Sequence, residues 1–115
     1  MPNMPSDTDT ATLRDILHHI DLAQRFAREG NLEAVRDQLM PLYAITRCLE
    51  IISEASRRLS AELKSRHKQI PWSEMAAAGN FYRHEYEDVL PQRVWKTLSE
   101  DIPKLRAAIE QELAV

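Results

Sequence analysis

The chain has 115 residues, room for one domain with one modest core. Only 2 glycines and a hydrophobic share of 43% argue for packed helices, because turn-rich β folds consume more glycine. A net charge of -3 excludes non-specific duplex binding through many phosphate contacts, while the single cysteine, Cys48, excludes an internal disulfide framework and fits a reducing compartment.

Residues 1–9 carry Pro2, Pro5, Ser6, Asp7 and Asp9 with little to bury, and read as a flexible tail before a domain over 10–115. The tail lacks the apolar stretch of a signal peptide, and nothing approaches the ~18 apolar residues of a membrane span. A soluble, cytoplasmic protein is expected. From Thr10 or Thr12 to Glu29, residues Leu13, Ile16, Leu17, Ile20, Ala23 and Ala27 form one apolar stripe at helical spacing. Gly30 should end this helix and Asn31 cap the next.

A second helical region over 32–65 places Leu42, Ile45, Leu49, Ile52, Ser56, Leu59 and Leu63 on one face. Its 42–63 portion would be roughly 30 Å long, the spine of a small bundle. Pro41 should kink or divide the region, since it lacks an amide hydrogen. Ser53, Ala55 and Ser56 would let a neighbouring helix come close, and Cys48 reads as a packed thiol rather than a reactive one.

Pro71 pre-sets a third helix over 71–84, with Trp72, Met75, Ala76, Gly79 and Tyr82 or Arg83 along one side. Glu85, Glu87 and Asp88 oppose the macrodipole at its end, so it should stop near His84 and a new helix start around Asp88 to Pro91. The fourth region, 90–113, carries Val94, Trp95, Leu98, Ile102, Leu105, Ile109 and Leu113, with a bend or split expected at Pro103. Trp72 and Trp95 are expected to anchor the core where the last two helices cross. There is no internal repeat, Gly-rich linker or low-complexity tract. The fold class is therefore all-α, an antiparallel bundle of four to five helices, and a domain this small gains stability by forming a homodimer.

The stretch Asn80-Phe81-Tyr82-Arg83-His84-Glu85-Tyr86 carries the chemistry. Asn80 and His84, four apart, stack on one helix face. Histidine suits proton transfer near neutrality, an amide below it can fix its ring, and a nearby guanidinium can stabilise negative charge at phosphorus. A helix-terminal histidine held by an asparagine, with no catalytic role, has the same spacing. A basic stretch of Arg57, Arg58, Lys64, Arg66, His67 and Lys68 is either a guide for RNA or a solvated helix face. His18 and His19 are adjacent and lack the i, i+4 spacing of a helical metal pair; no metal and no cofactor are expected.

The run EIISEASRRLS, then IPW, then GNFYRHEY, then VW-x-TL-x-x-DIP-x-L, in register over residues 42–109, resembles the HepT-type family of HEPN proteins. The resemblance implies a homodimeric helical bundle in which the motif helices of two protomers face one cleft. It further implies metal-independent cleavage of RNA by a toxin whose antitoxin is a neighbouring MNT-type nucleotidyltransferase. His84, Asn80 and Tyr86 match the family's histidine, asparagine and tyrosine. The family's arginine falls on Gly79, and neither 77 nor 78 supplies one. Arg83, about 100° around the helix from His84, is the substitute candidate.

On this reading His84 is the general base or acid, Arg83 stabilises the phosphorane and Asn80 orients the histidine. The resemblance also implies that Tyr86 accepts AMP from the antitoxin, which would block the site. The alternative is a catalytically degenerate binding module that partners, or is modified by, the nucleotidyltransferase. Ala76, Ala77, Ala78 and Gly79 would permit close approach of a second protomer, or would pack against the second helix of their own.

Overall fold

The computed structural model describes residues 4–37, 39–84 and 90–114, with side chains outside the description at 29–37, 83, 84 and 90. The described residues form α1 (Asp7–Asp37), α2 (Leu39–Arg57), α3 (Ala61–Arg66), α4 (Trp72–His84), α5 (Leu90–Lys96) and α6 (Ile102–Leu113), with a π turn over Thr97–Asp101 joining the last two. The expected all-α bundle is present, and none of its described helices is long and apolar enough to cross a membrane.

Leu13, Ile16, Ile20 and Ala23 of α1 are buried, as are Leu42, Ile45, Leu49 and Ile52 of α2 and Ile102, Leu105 and Ile109 of α6. These stripes meet in one core, to which Val94 of α5 and Tyr82 of α4 contribute. The α1 stripe recurs at the spacing that leaves a polar back on the helix, so one face is dry and the other wet.

Several boundaries differ from expectation. Helix α1 begins at Asp7, where Ser6 caps it: the Asp9 amide donates to the Ser6 hydroxyl at 3.0 Å and the Thr10 amide to the Ser6 carbonyl at 2.8 Å. It then continues through Gly30 to Asp37. One glycine costs a helix only about 1 kcal/mol, and the Leu32-Glu33-Ala34 run that follows offsets this. Asn31 accordingly lies inside the helix rather than at the start of a new one.

The prolines mark helix starts and divisions, as expected. Pro41 is the third residue of α2, Pro91 and Pro103 are the second residues of α5 and α6, and Pro71 directly precedes α4. At Pro41 and Pro91 the first amides of the helix have no intrahelical acceptor, so a residue without one costs nothing there. At the α5–α6 junction the Ile102 amide bonds to the Thr97 carbonyl, five residues back. This π register lets the helix path pass Pro103 without a chain reversal.

The long second region is also cut at its far end. The Arg58 amide bonds three back to Ala55, and Ser60 caps α3 by accepting the Leu63 amide at 3.2 Å. Asp9, itself 4% exposed, takes the Ser60 amide at 3.0 Å and its hydroxyl at 2.5 Å. Arg66 and His67 meet Glu112 of α6 at 2.6 and 2.7 Å. Both ends of the chain are thus tied to the α3 corner.

Candidate active site

Helix α4 carries the motif, and three contacts fix how it is rolled. Its start is set by Trp72, whose indole N–H is shared between the Lys64 carbonyl at 3.2 Å and the His67 carbonyl at 3.0 Å. Its middle is held by Ser53 of α2. The Ser53 hydroxyl donates to the Met75 carbonyl at 2.8 Å, with the Ala76 carbonyl at 3.1 Å, and accepts the Gly79 amide at 3.0 Å. Near its end Tyr82 reaches Thr97 at 2.6 Å; because the Thr97 hydroxyl hydrogen goes to the Arg93 carbonyl, Tyr82 is the donor. Burial pushes the Tyr82 phenol above its ordinary value.

Trp95 is 40% exposed and does not anchor the core as expected; Trp72, packed against it, does. The difference is one of register, since Val94, one residue earlier, takes the inward position on α5 and is fully buried.

The roll of α4 sorts the motif. Met75, Ala78, Gly79 and Tyr82 face the bundle, where a cavity of about 60 Å³ lies between α2, α4 and the π turn. Ala77 and Asn80 are exposed on the opposite side. At 100° per residue, position 84 falls on that same outward row with Asn80. Position 83 falls between the row of Gly79 and the row of Asn80. The side chains of Arg83 and His84 lie outside the described residues, as does Tyr86 altogether.

Gly79, where the resemblance led one to expect an arginine, has surroundings that suit glycine. A Cβ at 79 would stand 3.0 Å from the Ser53 hydroxyl and 3.4 Å from its Cβ. Such a contact is tighter than most packing, so a side chain here would make Ser53 give by a few tenths of an ångström. The Ala76–Gly79 run is consequently used inside the protomer at Ala76, Ala78 and Gly79, and leaves Ala77 exposed. The Ser53 contact is the close helix approach that the small residues of α2 suggested.

Part of the basic stretch meets carboxylates. Arg66 and His67 are held by Glu112, Arg66 also by Glu62 at 3.5 Å, and Arg58 lies 3.8 Å from Asp15. Arg57 differs: its Nε and Nη2 donate to the Ala76 carbonyl at 3.2 and 2.8 Å, and it has no carboxylate partner among the described residues. Cys48 is buried, and burial raises its thiol pKa, which suits an inert packed group.

Sequence spacing could not single out Ser53 or Arg57 as α4 contacts, because both sit among similar residues on one long helix. The only cue was the pairing of small residues in α2 with the Ala-Gly run of α4.

The family profile described as ribonuclease HepT-like matches residues 16–112. The "Probable ribonuclease HepT" of Thermococcus cleftensis is 38% identical over 99 residues, covering 86% of this chain and 90% of that one. "Putative RNase MJ1380" of Methanocaldococcus jannaschii is 32% identical over 100 residues, 87% of this chain and 92% of that one. A second protein of the same organism, "Putative RNase MJ0125", is 30% identical over 108 residues, 94% of this chain and 93% of that one. No solved structure matches the chain. With the matched region running from Ile16 of α1 to Glu112 of α6, and with an all-α bundle in place, the chain belongs to the HepT-like ribonuclease family.

Proposed function

We propose that this chain is the RNA-cleaving toxin of a toxin–antitoxin pair, acting as a cytoplasmic homodimer without a metal ion and neutralised by an MNT-type nucleotidyltransferase. The observation that carries the reading is the outward row of α4. Asn80 and position 84 share the face turned away from the core, inside a region that matches a ribonuclease family.

Cleavage by 2′-hydroxyl attack needs one group to take the hydroxyl proton and another to protonate the departing 5′ oxygen. His84 of one protomer serves as base and His84 of a second copy as acid, leaving a 2′,3′-cyclic phosphate. An isologous interface brings two identical outward rows together without further parts. Asn80 orients the ring, and Arg83 stabilises charge on the phosphorane. Tyr86, two residues beyond His84, takes AMP from ATP with release of pyrophosphate, and the added anion shuts out RNA phosphate.

A second reading has its own support in Gly79. Its Cβ direction leads into α2, so this chain has no α4 arginine at the family's position, which favours a degenerate module that binds or is modified by the nucleotidyltransferase. Incubating the purified protein with total RNA, with and without EDTA, separates the two. EDTA-resistant cleavage that disappears in His84→Ala, with the helical circular dichroism retained, supports the ribonuclease. No cleavage by a well-folded dimer supports the module, and a toxic, well-folded His84→Ala protein defeats the assignment of His84.

A further inference from the structure

We infer that Arg57 of α2 is a substrate-positioning residue that binds an RNA phosphate a few nucleotides from the one being cleaved. The inference rests on the ribonuclease reading above and adds a contact to it from outside the motif helix.

Ser53 and Arg57 are one turn apart on α2, and both reach α4. Ser53 fills the space beside Gly79; Arg57 lays its guanidinium on the carbonyl of Ala76. Ala76 stands one turn before Asn80 and two before position 84, so Arg57, itself exposed, is anchored on the flank of α4 that meets α2, upstream of both positions along the helix axis. Position 83 lies seven residues beyond Ala76, on the same flank of the helix.

The geometry of the anchor leaves a binding edge. A guanidinium has five N–H donors in a rigid fork. Nε and one N–H of Nη2 are spent on a single neutral acceptor, which fixes the plane and keeps the positive charge uncancelled. The remaining Nη1 and Nη2 hydrogens form the outer edge, the arrangement that suits a bidentate phosphate contact. Arg58, Arg66 and Arg106 each meet a carboxylate, whereas Arg57 is exposed and meets none among the described residues.

The distance sets the role. From residue 76 to residue 84 a helix rises about 12 Å, several nucleotides of stacked strand at ~3.4 Å each. Arg57 is therefore too far from the reacting phosphorus to stabilise a phosphorane, and it acts on binding and register. It places an exposed cation from α2 beside α4, on a molecule whose own α4 has glycine at position 79.

The test compares wild type, Arg57→Gln, Arg57→Lys and Arg58→Gln with a short single-stranded RNA for cleavage. The same sequence with 2′-O-methyl groups serves for binding by fluorescence anisotropy across a salt series. Arg57→Gln is expected to raise KM and the dissociation constant about tenfold, keep kcat within twofold and flatten the salt slope by about 0.7. Arg57→Lys should restore part of the salt slope, and Arg58→Gln should change neither quantity. Urea melts of Arg57→Gln separate loss of the Ala76 contact from loss of phosphate binding, since instability alone does not flatten a salt slope. An unchanged KM and slope in a cleaving wild type would overturn the role of Arg57 and leave the ribonuclease reading standing. Failure of wild type to bind or cleave RNA would overturn both.

Discussion

The Gly79 amide points at the Ser53 hydroxyl from 3.0 Å, and a Cβ on Gly79 would stand 3.0 Å from the same oxygen. Ser53 cannot easily retreat, being buried and bonded to two α4 carbonyls. Gly79→Ala should therefore lose the ~1 kcal/mol that alanine ordinarily brings to a helix, and destabilise by about 1 kcal/mol instead. In a Ser53→Ala background the same change should stabilise. A double-mutant cycle by urea unfolding reads the difference directly. Gly79→Arg should unfold at a markedly lower temperature and gain no RNA cleavage, so a stable, more active Gly79→Arg protein would contradict this packing.

Glu112 is held as a carboxylate. The hydrogen bond from Arg66 lowers its pKa below the usual carboxylate value against the opposing effect of burial, and His67 adds to the lowering. A depressed folded pKa stabilises the fold above the unfolded value, about 4.3, and that stability is lost as the pH falls through the folded one. Glu112→Gln should cost about 2–3 kcal/mol at pH 7, because it leaves Arg66 and the buried His67 without their anion. The cost should shrink towards zero in acid melts below that window.

Asp9 should behave unlike its neighbour Asp7. It takes two hydrogen bonds from Ser60 while nearly buried, so Asp9→Ala should cost about 2 kcal/mol by chemical unfolding. Asp7, exposed in the first turn, should change stability by no more than about 0.5 kcal/mol when replaced.

Tyr82→Phe should remove the donor to Thr97 and cost about 1 kcal/mol. Raised by burial, the phenol keeps its proton above its ordinary value, so its contribution is complete below about pH 10 and fades as the pH rises through the folded pKa. Alkaline ultraviolet titration should show one late-titrating tyrosine that is absent from the variant.

The core was readable from spacing because Leu13, Ile16 and Ile20, then Leu42, Ile45 and Leu49, repeat at helical intervals and are buried together. The breaks were less readable. The division expected at Pro41 falls just before it, but Gly30 carries a strong local preference and a helix still tolerates one glycine. The cut at Ser60 depends on Asp9, fifty-one residues away, a partner no local window contains. At the site, the shared row of Asn80 and His84 followed from i, i+4 spacing alone. That this row faces outward depended on Ser53 and Tyr82 fixing the roll of α4, which is tertiary information.

Because Asp9 and Glu112 are both fastened at the α3 corner, the two ends of the domain leave the bundle where α4 begins rather than where it ends. A domain fused to either end would project from that corner, clear of the region around position 84. Tags, reporters or natural fusion partners at either end should then leave the motif open to a second copy and to a long substrate. Splicing cargo between α4 and α5 should not.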